Sequence, residues 1–227
     1  MGLMVGKPPL KLLKTSIQNN NKIIDDKVST LTNSIINTTL SSDTPLSKYI
    51  KVYDNVLDIS DCNVILDEYS RTNEWARALT GNGEISEIRK CDSILISNQS
   101  VLEKNVNTRK EIDSMLHQRV ANIIKKYVAD FPLCYLSSDS GYSLLRYEVG
   151  GDFGNHVDSC TEAMRTVSIS INLNDDYVGG KMAFFDREIQ IKGGIGSAIV
   201  FPSNFMYPHE IMPIEKGTRY SIVTWLI

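Results

Sequence analysis

Cysteine is scarce and badly placed for cross-linking. Cys62, Cys91, Cys134 and Cys160 are scattered and never form a C-x-x-C pair, so neither a zinc ribbon nor a disulfide framework is indicated. A reducing compartment, the cytoplasm, is the expectation. Charge is close to balanced, with a formal net value of −3, so nothing draws the whole chain toward phosphate backbones and no nucleic-acid partner is expected. Long apolar runs are missing as well. The apolar patch within residues 1–13 is broken by Lys7, Pro8, Pro9 and Lys11, too early for a membrane span or a signal-peptide core. Gly6 stands where a myristoylation signal needs serine or threonine. A soluble protein with no membrane partner is therefore expected, and the composition leaves its oligomeric state open.

What is present suits one sizeable domain: 227 residues, 42% of them hydrophobic and 22% charged, enough to bury an ordinary core. Residues 15–42 are rich in Asn, Thr and Ser, a composition that argues against a packed core. Ile24, Val28, Leu31 and Ile35 fall at helical spacing there, so residues 1–45 read as a polar leader, either a short amphipathic helix or mobile. Thr44-Pro45 marks the start of the folded domain, 46–227. Within it, residues 49–57 read as a strand, and Ser60 as the N-cap of a helix through Val64, Ile65, Leu66 and Tyr69. Gly81, Asn82 and Gly83 mark a mobile loop before a strand over 93–97.

From 108 to 127 the apolar positions Ile112, Met115, Leu116, Val120, Ile123, Ile124 and Tyr127 trace one side of a long helix, with His117 off the stripe and assigned to the surface. After Phe131-Pro132 the sequence becomes short strands and turns: 142–149, 165–173, 181–185, 188–191, 197–201 and 219–226. Six short strands imply a sandwich or barrel rather than an α/β sheet, with the helix covering one face.

Two of the three histidines, His156 and His209, fall in this β-rich half, and His156 belongs to a His156-x-Asp158 pair. Residues i and i+2 of a strand project from one face about 7 Å apart, so a strand end can aim an imidazole and a carboxylate at one ion. Two neutral imidazoles and a carboxylate make the facial triad of non-haem Fe(II) sites, which leaves positions open for a chelating co-substrate and O₂. Structural zinc prefers a closed tetrahedron. Arg219 follows His209 by ten positions, and its planar guanidinium can clamp a carboxylate with two parallel hydrogen bonds. Ser221, on the same strand face, can add a hydroxyl donor. A histidine or a His-x-Asp taken singly is more often structural. The ordered set of His156, Asp158, His209 and Arg219 reads as a metal site.

Several motifs in order carry a resemblance: Arg146-Tyr147 ahead of Gly150-Gly151 and His156-Val157-Asp158, then Asn172-Leu173-Asn174 and Gly179-Gly180, the strand 196–202, and Lys216-Gly217-Thr218-Arg219-Tyr220-Ser221 leading to Trp225. The chain resembles the 2-oxoglutarate/Fe(II)-dependent dioxygenases, and among them the prolyl 4-hydroxylase type. The resemblance implies an α+β, mainly β fold, a double-stranded β-helix or jelly roll with supporting helices on one side and its core at about residues 140–227. It implies Fe(II) on His156, Asp158 and His209, with 2-oxoglutarate as co-substrate held by Arg219, and ascorbate dependence.

By the same resemblance Tyr147 and Ser221 line the co-substrate pocket, and Trp225 lies near its wall. Asn172 stands where several prolyl hydroxylases carry a tyrosine that reaches the co-substrate. The carboxylate of Asp158 favours hydroxylation over halide transfer. Trp225, in place of a second arginine, argues against the nucleic-acid-demethylating branch. The implied reaction uses O₂ to hydroxylate a C–H bond, of a peptidyl proline or of another protein residue or free amino acid, with residues 76–90 closing over a peptide. A metal-binding jelly roll without oxygenase activity is the reading from another class.

Overall fold

Alternation of inward and outward side chains organises the computed structural model, which describes residues 46–80, 83–98, 107–161 and 163–227. The expected leader, 1–45, lies outside the described residues, as do Gly81 and Asn82 of the expected loop. The strands in chain order are β1 (Lys51–Tyr53), β2 (Ala76–Arg77), β3 (Asp92–Leu95), β4 (Ser143–Tyr147), β5 (Phe153–His156), β6 (Val167–Asn172) and β7 (Val178–Gly179). They continue as β8 (Met182–Phe184), β9 (Ile189–Ile191), β10 (Ala198–Pro202), β11 (His209–Ile211), β12 (Ile214–Lys216) and β13 (Arg219–Leu226). Two helices, α1 (Ile59–Tyr69) and α2 (Asn107–Asp130), complete the described elements with a 3-10 turn at Leu46–Tyr49. None of the described helices is long and apolar enough to cross a membrane.

The strands form a seven-stranded sheet in the order β1-β10-β6-β13-β4-β3-β2, a four-stranded sheet in the order β5-β11-β8-β9, and the short pair β12-β7. Every one of these pairings is antiparallel. Two cores result. One lies between the large sheet and the helices, where Ile112, Leu116, Val120, Ile123 and Tyr127 of α2 meet Ile94, Leu144, Ile169, Ile171 and Ile222. The other lies between the sheets, where Leu145, Tyr147, Ile199 and Phe201 face Met182, Phe184 and Ile211. Complete burial contributes about 1.5–3 kcal/mol for each large apolar side chain. The expected mainly β architecture with helices on one side is what the chain adopts.

Strand β6 explains how one strand serves both cores. All six of its residues are buried, with Val167, Ile169 and Ile171 against the helices and Ser168, Ser170 and Asn172 turned away from them. That polar row faces the interior of the sandwich.

Three expectations need correction. Helix α1 starts at Ile59 with Asp58 as its cap, not Ser60; the Asp58 amide donates to Asp61 Oδ2 at 3.2 Å. Asp61 also accepts from Arg119 Nη2 of α2 at 2.7 Å, which ties the two helices and fixes where the first begins. The strand expected over 49–57 is only β1, because the 3-10 turn takes up its first residue and the chain after Tyr53 bends toward α1. Residues 76–90 are not loop throughout, since Ala76–Arg77 pair with β3 as β2. His117 is at the surface as expected, 3.3 Å from Asp139.

The approach to β10 depends on Gly196. Its φ is +70°, and an added Cβ would stand 2.0 Å from the Leu57 carbonyl oxygen. Its own carbonyl accepts from the amides of Val56 and Leu57. Gly196→Ala is expected to cost about 3 kcal/mol, read as a lower denaturant midpoint, because positive φ and a backbone clash combine. Gly194→Ala, with open space around the new Cβ, should cost well under about 1 kcal/mol.

Candidate metal centre

The edge of the small sheet brings the two histidines together. His156 closes β5 and His209 opens β11, and they are direct cross-strand partners. Their rings lie 4.2 Å apart. Each imidazole is turned by the same local device: Nδ1 of His156 donates to the Gly154 carbonyl at 2.8 Å, and Nδ1 of His209 to the Tyr207 carbonyl at 3.1 Å. These bonds fix the tautomer and leave each Nε2 lone pair for a ligand.

Asp158 is not on the strand with His156, as the i, i+2 argument expected, but in the bend just beyond it. From there Oδ1 lies 3.5 Å from His156 Nε2 and Oδ2 lies 3.6 Å from His209 Nε2. The three ligand atoms fall within 4.8 Å of one another. Leaving the strand lets the carboxylate cross to the large sheet, where Ser168 Oγ of β6 donates to Oδ2 at 2.7 Å. Ser168 Oγ is in turn 2.7 Å from Ser203 Oγ, so a serine relay holds the carboxylate.

The electrostatics set the charge states that a divalent metal needs. Burial pushes the Asp158 pKa up, but His156, His209 and the Ser168 hydroxyl outweigh it and hold the carboxyl well below the usual carboxylate range. Burial lowers His209 to about 4 against the opposing pull of Asp158, so its imidazole is neutral at physiological pH. Two imidazole nitrogens and one ionised oxygen, presented from one side, are the donor set of a non-haem Fe(II) centre. The aromatic wall is tight: Phe153 stacks on His156 at 3.5 Å, and Phe201 meets His209 edge-on at 4.7 Å.

Arg219 stands across the same cleft, at the start of β13, and is 4% exposed. Its Nη1 donates to Ser221 Oγ at 3.0 Å, its Nε has no partner, and none of the described carboxylates pairs with it. A buried guanidinium left in this state is costly unless a ligand anion completes it. This orphaned donor fits the far carboxylate of a diacid such as 2-oxoglutarate. Tyr147 is Arg219's cross-strand partner, and the guanidinium lies 5.4 Å from its ring. Burial pushes the Tyr147 hydroxyl pKa well up, so it remains a phenol donor.

Tyr147, Ser221 and Trp225 line the cleft together with the triad and Arg219, in a space of about 430 Å³ counted to its open mouth. Asn172 lies behind Arg219 in an adjoining hollow. Its amide nitrogen donates to the carbonyls of Asn174 and Gly193, at 2.5 and 3.1 Å, and its oxygen accepts from the Tyr177 hydroxyl at 3.0 Å. Those contacts commit the amide to the fold. Trp225 is more than wall, because Arg165 stacks on it with Cζ 3.6 Å from the ring.

Ser168, Ser203, Phe153, Arg89 and Arg165 are the site residues that the sequence reading missed. The signal for Ser168 was present in the alternation of polar and apolar residues through a strand otherwise read as buried. Ser168→Ala is expected to lower the affinity for Mn(II) or Fe(II) by about 10- to 100-fold, measured by titration calorimetry, because the carboxylate loses its orienting donor.

Known proteins resemble this chain in sequence and in fold. Residues 142–227 match the model of the 2OG-Fe(II) oxygenase superfamily. A PKHD-type hydroxylase of Delftia acidovorans is 27% identical over 136 residues, covering 52% of this chain and 59% of that protein. One from Hyphomonas neptunium is 37% identical over 92 residues, covering 35% and 40%. The chain thus spans about 40–60% of the length of these curated relatives.

Among solved structures, a prolyl hydroxylase from Trichoplax adhaerens, in complex with a hypoxia inducible factor oxygen degradation domain peptide fragment, matches with a TM-score of 0.67 at 16% identity. The match covers 89% of this chain and 91% of that one. A Pseudomonas putida prolyl-4-hydroxylase matches with a TM-score of 0.60 at 19% identity, covering 78% and 91%. At such identities the likeness is one of fold. Motifs, donor set and fold therefore agree with the match of residues 142–227 to the 2OG-Fe(II) oxygenase superfamily, and the fold is like that of prolyl hydroxylases.

Proposed function

We propose that the protein is an Fe(II)- and 2-oxoglutarate-dependent dioxygenase that hydroxylates an unactivated C–H bond, with a peptidyl proline as its substrate and a double-stranded β-helix as its scaffold. The observation that carries this reading is the meeting, in one cleft, of His156, Asp158 and His209 with a buried Arg219 that lacks an anion. In this reading His156, Asp158 and His209 hold the metal, and Arg219 with Ser221 holds the far carboxylate of 2-oxoglutarate. Bound Fe(II) and 2-oxoglutarate supply, with O₂, the oxidising power for hydroxylation, the co-substrate leaving as succinate and CO₂.

The chain's own contribution is positional. Tyr147 keeps its proton and remains a donor beside Arg219, Ser168 and Ser203 hold Asp158 in place, and the ring of Phe153 shields His156 from water. Support for a peptide substrate comes from the fold shared with a prolyl hydroxylase solved with a peptide.

The decisive experiment measures succinate formed from 2-oxoglutarate with and without Fe(II), and the oxygen mass gained by proline-containing peptides. Metal-dependent succinate together with a gain of one oxygen on proline is expected, and ascorbate should raise turnover. Succinate that forms equally without iron would overturn the reading. Oxygen gained on another residue or on a free amino acid would move the substrate and keep the chemistry.

A further inference from the structure

Strand β6 leaves one of its hydroxyls unpartnered. Ser168, Ser170 and Asn172 form a row along its inner face, with about 7 Å between successive residues. Ser168 marks the metal end, where its Oγ donates to Asp158 at 2.7 Å and meets Ser203. Asn172 marks the other end, in the hollow behind Arg219, with its amide committed to Asn174, Gly193 and Tyr177. Ser170 stands between them. It is 5% exposed, and its hydroxyl has no partner among the described residues.

Three serines line the metal cleft, and the other two are occupied, Ser168 by Asp158 and Ser221 by Arg219, whose Nη1 donates to it at 3.0 Å. A buried hydroxyl without a hydrogen bond is a loss that alanine would avoid, unless a ligand completes it.

The position of Ser170 names that ligand. Ser170 and Arg219 are the two residues that line both the metal cleft and the hollow of about 240 Å³ behind it, so the hydroxyl shares a partition with the guanidinium. The register of β6 against β13 pairs Asn172 with Ser221 and Ser170 with Val223, which makes Ser170 the diagonal neighbour of Ser221. Diagonal side chains on one sheet face stand about 7 Å apart. With hydroxyl–carboxylate bonds of about 2.6 Å, the gap between the two serines is that of one carboxylate group.

The charges agree. The lining of the hollow holds a second cation, Lys192, whose Nζ donates to the Tyr177 carbonyl at 2.7 Å, and it holds no carboxylate. An anion on the cleft side of Arg219 therefore has positive charge both beside it and behind it.

Given the 2-oxoglutarate reading, on which this rests, we propose that Ser170 binds the co-substrate: its hydroxyl donates to the far carboxylate of 2-oxoglutarate, opposite Ser221, with Arg219 closing the third side. Ser221 takes part because it accepts from Arg219 and so keeps its own proton for the ligand. Ser170 thereby helps to tell a diacid from a metal chelator that has no far carboxylate.

The test uses the full chain loaded with Mn(II), so that binding is read by calorimetry without turnover. Two probes are titrated, 2-oxoglutarate and oxalate, the second a chelator too short to carry a carboxylate to Arg219. Ser170→Ala is expected to weaken 2-oxoglutarate by about 10- to 100-fold, as loss of a hydrogen bond to a charged group does, and to leave the affinities for oxalate and Mn(II) unchanged. In an Arg219→Ala background the same change should cost far less than on its own, because the two groups share one ligand. Ser197→Ala, which removes a hydroxyl from the hollow but not from the cleft, should leave both probes as they are.

Unchanged 2-oxoglutarate affinity in Ser170→Ala overturns the proposal. So does an equal loss for both probes, or an equal loss in Ser197→Ala, since each assigns the effect to packing. A wild-type protein that binds no 2-oxoglutarate, and forms no succinate with Fe(II), overturns the dioxygenase reading itself. Wild-type binding with no response to Ser170→Ala confines the failure to this one residue.

Discussion

Asp158→Ala is expected to reduce Fe(II)-dependent succinate formation by about a thousandfold or more, since ligands that act as one unit lose nearly all function when one is removed. The variant keeps His156 and His209 opposite each other, but loses the only negative charge of the triad and the only ligand that crosses to the large sheet. Mn(II) titration should show the loss directly, as weak binding by two neutral imidazoles. Circular dichroism should be unchanged, because Asp158 lies in a bend outside both hydrophobic clusters. A variant that still binds iron tightly and turns over 2-oxoglutarate would show that the metal is held elsewhere.

The second large effect belongs to Arg219. Truncating one side of a buried, hydrogen-bonded charge pair costs about 3 kcal/mol, so Arg219→Ala should weaken 2-oxoglutarate binding by roughly 100-fold. The Kd can be read by calorimetry on the Mn(II)-loaded protein, where metal affinity itself should be nearly unchanged. Arg219→Lys is the informative companion. It keeps the charge but gives up the planar fork and the reach to Ser221, so its Kd should fall between those of the wild type and the alanine variant. Wild-type affinity in the alanine variant would mean that the diacid is anchored by other groups.

How much of this was legible in the sequence depended on element length and on whether a residue's role is local. Strand β13 appears with the expected bounds, and α2 with the expected stripe, because both are long enough for periodicity to stand out. Strands β7 and β12 were not foreseen, and β5 and β11 were expected only as carriers of the two histidines, without bounds. They run to four residues at most, and His209, Glu210 and Ile211 are enclosed by Pro208 and Pro213, so no alternating pattern can form. What makes them strands is pairing with a distant segment, and that information is absent from any local window.

The meeting of His156, Asp158 and His209 was readable all the same, since histidine is rare here and the donor types suit one ion. The partners of Arg89, Arg165 and Asn172 were not. Stacking on Phe153 and Trp225, or donation to the carbonyls of Asn174 and Gly193, is decided by packing between segments that no spacing rule connects.

The pairing of β5 has one more implication. This strand is the outermost of the small sheet, held to β11 through a ladder whose register shifts between His209 and Ile211. Iron bound at His156 and His209 would therefore add a side-chain cross-link to a sheet margin whose outer side the backbone ties to Ile88, Arg89 and Lys90. Capturing the ion would then tighten the same margin that carries residues 88–90, so that metal content and the footing of the segment before β3 become linked.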